Sequence, residues 1–84
     1  MNKNWVLFHL AVAHEDLGRL LADMQSNRRY EVDEYVVDIA NVYHHLNTAW
    51  NARNATDTAA REWSNEDYYR WRQFPPEEEI YLGP

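Results

Sequence analysis

Apolar side chains recur at three- and four-residue steps along the first two-thirds of the chain. One series is Val6, Leu10, Ala13, Leu17, Leu20 and Met24; a second is Val32, Tyr35, Ile39, Val42, Leu46 and Ala49. That spacing returns to one side of a helix with 3.6 residues per turn, whereas a strand would alternate by two. A short polar break at Ser26–Arg29 separates the series. The pattern predicts an all-α chain built on an antiparallel two-helix hairpin. The first helix is expected from Asn4 to about Ser26, capped by Asn2 or Asn4, with Asn27 closing it in the left-handed conformation. Gly18 lies inside this helix, at a cost of about 1 kcal/mol relative to alanine unless a neighbour packs closely there. The second helix is expected from near Glu31 to at least Asn54, and onward through Thr56 to Glu62 if nothing stops it. Glu31, Asp33 and Glu34 suit the positive end of its dipole.

Each series carries an extra apolar column. Leu7, His14 and Leu21 flank the first, and Val36, Tyr43 and Trp50 flank the second. A stripe three columns wide exceeds what one helix pair covers. The surplus predicts a homodimer, most simply a four-helix bundle assembled from two hairpins.

The C-terminal third has another character. Ser64-Asn65-Glu66-Asp67 is a capping-box pattern that predicts a short helix from Asn65 to about Gln73. Trp63, Tyr68, Trp71 and Phe74 give that helix an aromatic face, and Pro75-Pro76 ends it. Residues 1–74 therefore read as one helical domain and 75–84 as a proline-led acidic tail, whose Ile80-Tyr81-Leu82 resembles an extended docking peptide.

Composition narrows the classes. Eighty-four residues make one small domain with a marginal core, which again favours assembly. The absence of cysteine removes disulfides and thiolate metal sites and fits a reducing cytoplasm. Fourteen acidic against eight basic residues give a formal charge of -6, and the arginines form no stripe, which disfavours direct nucleic-acid binding. No apolar run is long enough to span a bilayer, and His9, His14, Glu15 and Asp16 interrupt any signal-peptide pattern near the start.

The candidate chemistry is sparse. With the turn centred near Asn27–Arg29, residues facing across the hairpin have numbers summing to about 57. Arg19 is thus expected opposite Asp38, Asp16 opposite Asn41, and His14 opposite Tyr43. Asp16 and Asp38 are candidate ligands for Mg²⁺, but Arg19 stands where a third acid is needed and is expected to pair with Asp38. His9 and His14 miss the four-residue spacing of a two-histidine zinc site, and His45 shares its face with Asn41, a poor zinc ligand. Across the hairpin His9 is able to approach His45, leaving a pair without a third ligand. No serine or cysteine nucleophile with a base is present, and the two glycines form no phosphate loop.

Glu15-Asp16-Leu17-Gly18-Arg19-Leu20 followed by Glu34-Tyr35-Val36-Val37-Asp38-Ile39 resembles the helical core of the MazG-type nucleotide pyrophosphohydrolases, over about residues 10–46. The resemblance implies a Mg²⁺-dependent cleavage of nucleoside triphosphates to monophosphate and pyrophosphate. Asp16 and Asp38 fall on the family's ligand positions, while Arg19 and Tyr35 stand where it has glutamates. The leading expectation is a non-enzymatic, cytoplasmic interaction protein that needs no cofactor, self-associates and meets a further protein partner. Its expected interface residues are Leu7, Leu21, Val36, Tyr43, Trp50, Trp63, Tyr68, Trp71 and Phe74. A degenerate MazG-like nucleotide-binding protein using Mg²⁺ is the first alternative. An acidic nucleic-acid mimic or inhibitor is the second.

Overall fold

The computed structural model describes residues 1–81; Leu82, the last residue of the expected docking peptide, lies outside them. Five helices follow one another: α1 (Lys3–Ser26), α2 (Val32–Asn51), α3 (Asp57–Arg61), α4 (Asn65–Trp71) and α5 (Glu77–Tyr81). No strand forms among the described residues. α1 and α2 pack along their lengths as the expected hairpin, and α4 lies against the C-terminal half of α2. No described helix is long and apolar enough to cross a membrane.

Local chemistry sets the ends. The Asn2 carboxamide oxygen accepts from the Trp5 N–H at 3.2 Å and so caps α1, while its amide nitrogen donates to the Ala55 carbonyl at 2.9 Å. The Asn2 backbone N–H also donates to the Arg53 carbonyl at 2.6 Å. One residue therefore starts α1 and ties it to the loop that leaves α2, closing the open end of the hairpin. At the other end Asn27 is extended, with φ -106° and ψ 105°, and not left-handed as expected. Its side chain accepts from the Arg29 N–H at 3.0 Å, so a side-chain turn replaces the left-handed cap.

α2 stops at Asn51, short of the expected Asn54. The Arg53 guanidinium donates to the Trp50 carbonyl at 2.7 Å, satisfying a terminal acceptor. Thr56 then starts the separate α3 by accepting from the Ala59 N–H. The capping box at Ser64 forms in both directions: Ser64 Oγ accepts from the Asp67 N–H at 3.1 Å, and Asp67 Oδ2 accepts from the Ser64 N–H at 3.3 Å. α4 ends two residues earlier than its spacing suggested. Its end is held by two asparagines one turn apart on α2. Asn47 donates to the Arg72 carbonyl at 2.9 Å, and Asn51 donates to the Trp71 carbonyl at 2.9 Å and the Gln73 carbonyl at 2.5 Å. The tail also departs from extension: α5 is helical, and Glu79 accepts from the Trp50 indole N–H at 3.0 Å and pairs with Arg53 at 3.5 Å.

The helix contact is narrower than the apolar series and rotated within them. Of the twelve series positions only Ala13, Leu20, Val42 and Ala49 are buried. His9 and Asp16 share the α1 contact line with Ala13 and Leu20, and Asp38 and His45 share the α2 line with Val42 and Ala49. Leu10, Leu17, Met24, Tyr35 and Leu46 were expected in the contact and are exposed instead. Small alanines and the paired histidines draw that edge of each stripe together, which turns the bulky edge outward. Gly18 meets nothing: a Cβ there has open space for at least 4 Å. Gly18→Ala is therefore expected to stabilise the fold by about 1 kcal/mol, a rise of roughly 4–8 °C in melting temperature by calorimetry. A fall would show that the position needs glycine.

Candidate functional site

The bulky edges form an exposed apolar side of the hairpin. Turning about 100° per residue from the contact line places Leu7, Leu10, Leu17, Leu21 and Met24 on one flank of α1. The same turn places Val32, Tyr35, Val36, Tyr43 and Leu46 on one flank of α2. Both flanks lie in the same rotational sense from the contact, and the helices run antiparallel, so the two flanks share one side of the hairpin. All ten side chains are exposed, Leu21 by 53% and Val36 by 59%. At roughly 100 Å² apiece, about half of what a large side chain shows when free, they present on the order of 1,000 Å². An ordinary monomer's largest apolar patch is about 300–600 Å². Phe74 extends this side, its ring packed edge-on against Tyr43 with centroids 5.2 Å apart.

The expected interface residues thus divide. Leu7, Leu21, Val36, Tyr43 and Phe74 stand on this open apolar side. Trp71 is 4% exposed, packed against Trp5 with ring centroids 6.1 Å apart. Trp50 is bonded to Glu79 and lies beneath the Arg53 guanidinium at 4.0 Å. Tyr68 is half-buried under Arg72 at 4.5 Å, with Trp63 against its ring at 5.1 Å.

Asp16 and Asp38 come together at a small cavity of about 50 Å³, with Arg19, Asp23, Leu20 and Asn41 around it. Asp16 and Asn41, expected to face each other, both line this cavity. The expected Arg19–Asp38 pair is not among the ion pairs of the described residues. Arg19 turns to its own helix, 3.0 Å from Glu15 and 3.6 Å from Asp16, because partners one turn away need no reach across the hairpin. Asp38 instead accepts from the Tyr30 hydroxyl at 2.7 Å. Desolvation, and then the Asp38 carboxylate that accepts its proton, push the Tyr30 hydroxyl above the usual phenol value. Among the described residues no three His, Asp or Glu side chains are grouped so as to hold a metal ion.

The histidines gather on the other side of the contact. His9 Nδ1 and His45 Nδ1 are 3.0 Å apart, so one ring donates to the other and only one of the two nitrogens carries the proton. His9 is 8% exposed and packs edge-on against Trp5, centroids 4.3 Å apart. Burial, and then the neighbouring His45, lower its pKa to about 4. His44 is also lowered, by burial first and then by Arg72 and His45. Arg72 Nη2 lies 2.7 Å from His44 Nδ1, and its Nη1 donates to the Tyr68 hydroxyl. His14 stays exposed on the outer flank of α1.

Sequence reasoning reached the His9–His45 approach and the company of Asp16 with Asp38. It missed Arg72 as a member of the histidine cluster, since nothing in the spacing of a residue just past α4 links it to His44. No protein-family model matches this chain, and neither any curated protein nor any solved structure matches it.

Proposed function

We propose that this chain is a small acidic interaction module that pairs with a second copy of itself through the apolar side of its hairpin and works by association, not by catalysis. The observation that carries this reading is the exposed apolar side made by the outer flanks of α1 and α2, with His14 as its polar member on α1. Its area of about 1,000 Å² compares with the ~800 Å² that each partner contributes to a standard interface. Two copies related by a two-fold axis would place one such side against the other, giving a four-helix bundle with a common core. The small size of the chain argues in the same direction, because α1 and α2 alone bury few large side chains. A non-enzymatic role is supported by the carboxylates at the Asp16–Asp38 cavity: Arg19 neutralises the first and the Tyr30 hydroxyl occupies the second. The further protein partner belongs to this reading as a ligand of the assembled dimer. Trp71 and Trp50, being engaged within the subunit, are not offered to it.

Sedimentation equilibrium at micromolar concentration tests the reading. The expected mass is twice the 10.1 kDa of one chain. A single-chain mass across the whole concentration range would remove its basis.

A further inference from the structure

The flank of the hairpin opposite the apolar side holds a second cavity, of about 130 Å³, enclosed between α1, α2 and α4. Trp5, Trp63, Tyr68 and Trp71 make its walls, and the Arg72 side chain lines it with them. Asn41, His45 and Thr48 stand on the opposite flank of α2 from Tyr43 and Leu46, so pairing through the apolar side leaves this cavity open.

The charge and the aromatic walls of this cavity favour one kind of occupant. Among the described residues no carboxylate pairs with Arg72, so its charge reaches the cavity uncompensated. The guanidinium is nevertheless held in place, over the Tyr68 ring at 4.5 Å and against His44 at 2.7 Å, with the Arg72 carbonyl fixed by Asn47 at 2.9 Å. Two buried nitrogens, Trp5 Nε1 and His9 Nε2, have no hydrogen-bond partner. Trp5 Nε1 can only donate. His9 Nε2 donates as well when His45 is the donor of the pair at 3.0 Å. Unpartnered buried donors are uncommon, because each forfeits its hydration without replacement. A guanidinium fixed at the cavity without a carboxylate partner among the described residues calls for an acceptor bearing negative charge. The aromatic walls and the volume call for one flat ring, since an apolar cavity of about 150 Å³ accommodates benzene.

We propose that this cavity binds a small monocyclic aromatic carboxylate, its ring against the aromatic walls and its carboxylate on Arg72. The half-exposed Trp63, 49% accessible, stands at the mouth and the ligand enters past it. His44 and His9 are both held toward their neutral forms by burial, so Arg72 supplies the charge and recognition persists through the neutral pH range.

Benzoate is the probe, with acetate and benzamide as its halves: the first keeps the carboxylate without the ring, the second the ring without the charge. Titrations of the full chain are followed by the indole N–H resonances and by tryptophan fluorescence. Benzoate is expected to bind and to move the Trp5 indole signal, with acetate and benzamide each at least about tenfold weaker, as charge-assisted hydrogen bonds and ring burial both contribute. Arg72→Gln is expected to weaken benzoate by a similar factor while leaving benzamide unchanged. Trp63→Leu, at the half-exposed mouth, keeps an apolar side chain before the Ser64 cap and is expected to weaken benzoate and benzamide together, with helicity by circular dichroism confirming that α4 persists without the Trp63–Tyr68 contact. Benzoate without effect at 10 mM (roughly the limit set by about 1 mM affinities), acetate as tight as benzoate, or Arg72→Gln with undiminished affinity would each overturn the proposal.

Discussion

A chain carrying Leu21→Glu together with Val36→Glu is expected to sediment as a monomer at concentrations where the proposed pairing makes the parent a dimer, with its helical content intact. Leu21 and Val36 lie near the turn end of the hairpin, on the outer flanks of α1 and α2, and are more than half exposed within one subunit. Glutamate is a good helix former and replaces a β-branched residue at Val36, so neither change harms its own helix. In a two-fold dimer the pair of changes places four carboxylates in the shared core. Each burial without a partner costs several kcal/mol, and the like charges repel. The dimer dissociation constant should therefore rise by at least about 100-fold, given that 1.4 kcal/mol is a factor of ten. The parent assembly should persist or tighten in high salt, since the chain carries a formal charge of -6 and two copies repel when unscreened. A double variant with the parent's mass would locate the contact elsewhere. A double variant that loses helicity would show that these residues belong to the core of the single chain.

Much of the hairpin was legible because long helices write their period into the chain. The start of α1 at Asn2 and the capping box at Ser64 were equally legible, because each is decided by a side chain within four residues. What remained hidden was rotation. The 3.6-residue period fixes which residues share a stripe but not which edge of the stripe meets the partner helix. That choice went to His9, Ala13, Asp16 and Leu20, where small and polar side chains let the backbones approach, and left Leu10 and Leu17 outside. Arg19 shows the same limit. Its facing position across the hairpin was inferred correctly enough to put it beside the Asp38 cavity, yet Glu15 on its own helix was nearer. The asparagines one turn apart at Asn47 and Asn51 carried a signal that was overlooked. Two carboxamides one turn apart on one helix face, the first of them buried, need acceptors, and the carbonyls ending α4 supply them. The joining of Arg72 to His44 had no such local signature, since it depends on how α4 lies across α2.

Lowering the pH from 7 to about 4 is expected to remove on the order of 3 kcal/mol from the unfolding free energy, through His9 alone. The folded chain holds this imidazole at a pKa of about 4, against 6.5 for the free side chain. Burial beneath Trp5 is the main cause, and His45 at 3.0 Å the second. Between those two values the unfolded chain binds a proton that the folded chain refuses. Stability is then complete above about pH 6.5, falls as the pH drops through the window, and loses no more from this group below about 4. A protonated His9 can only donate, so the His9–His45 hydrogen bond then requires a neutral His45 accepting at Nδ1 and is lost if both facing nitrogens carry protons. The measurement is urea unfolding across pH 7 to 4 on the Leu21→Glu/Val36→Glu chain, where association does not enter the equilibrium. In a His9→Phe version the ring stays and the titration goes, so the slope within the window should flatten even if the overall stability is lower. An unchanged slope in that version would assign the acid sensitivity to other groups, and a His9 ring signal titrating near 6.5 would show that water reaches the imidazole.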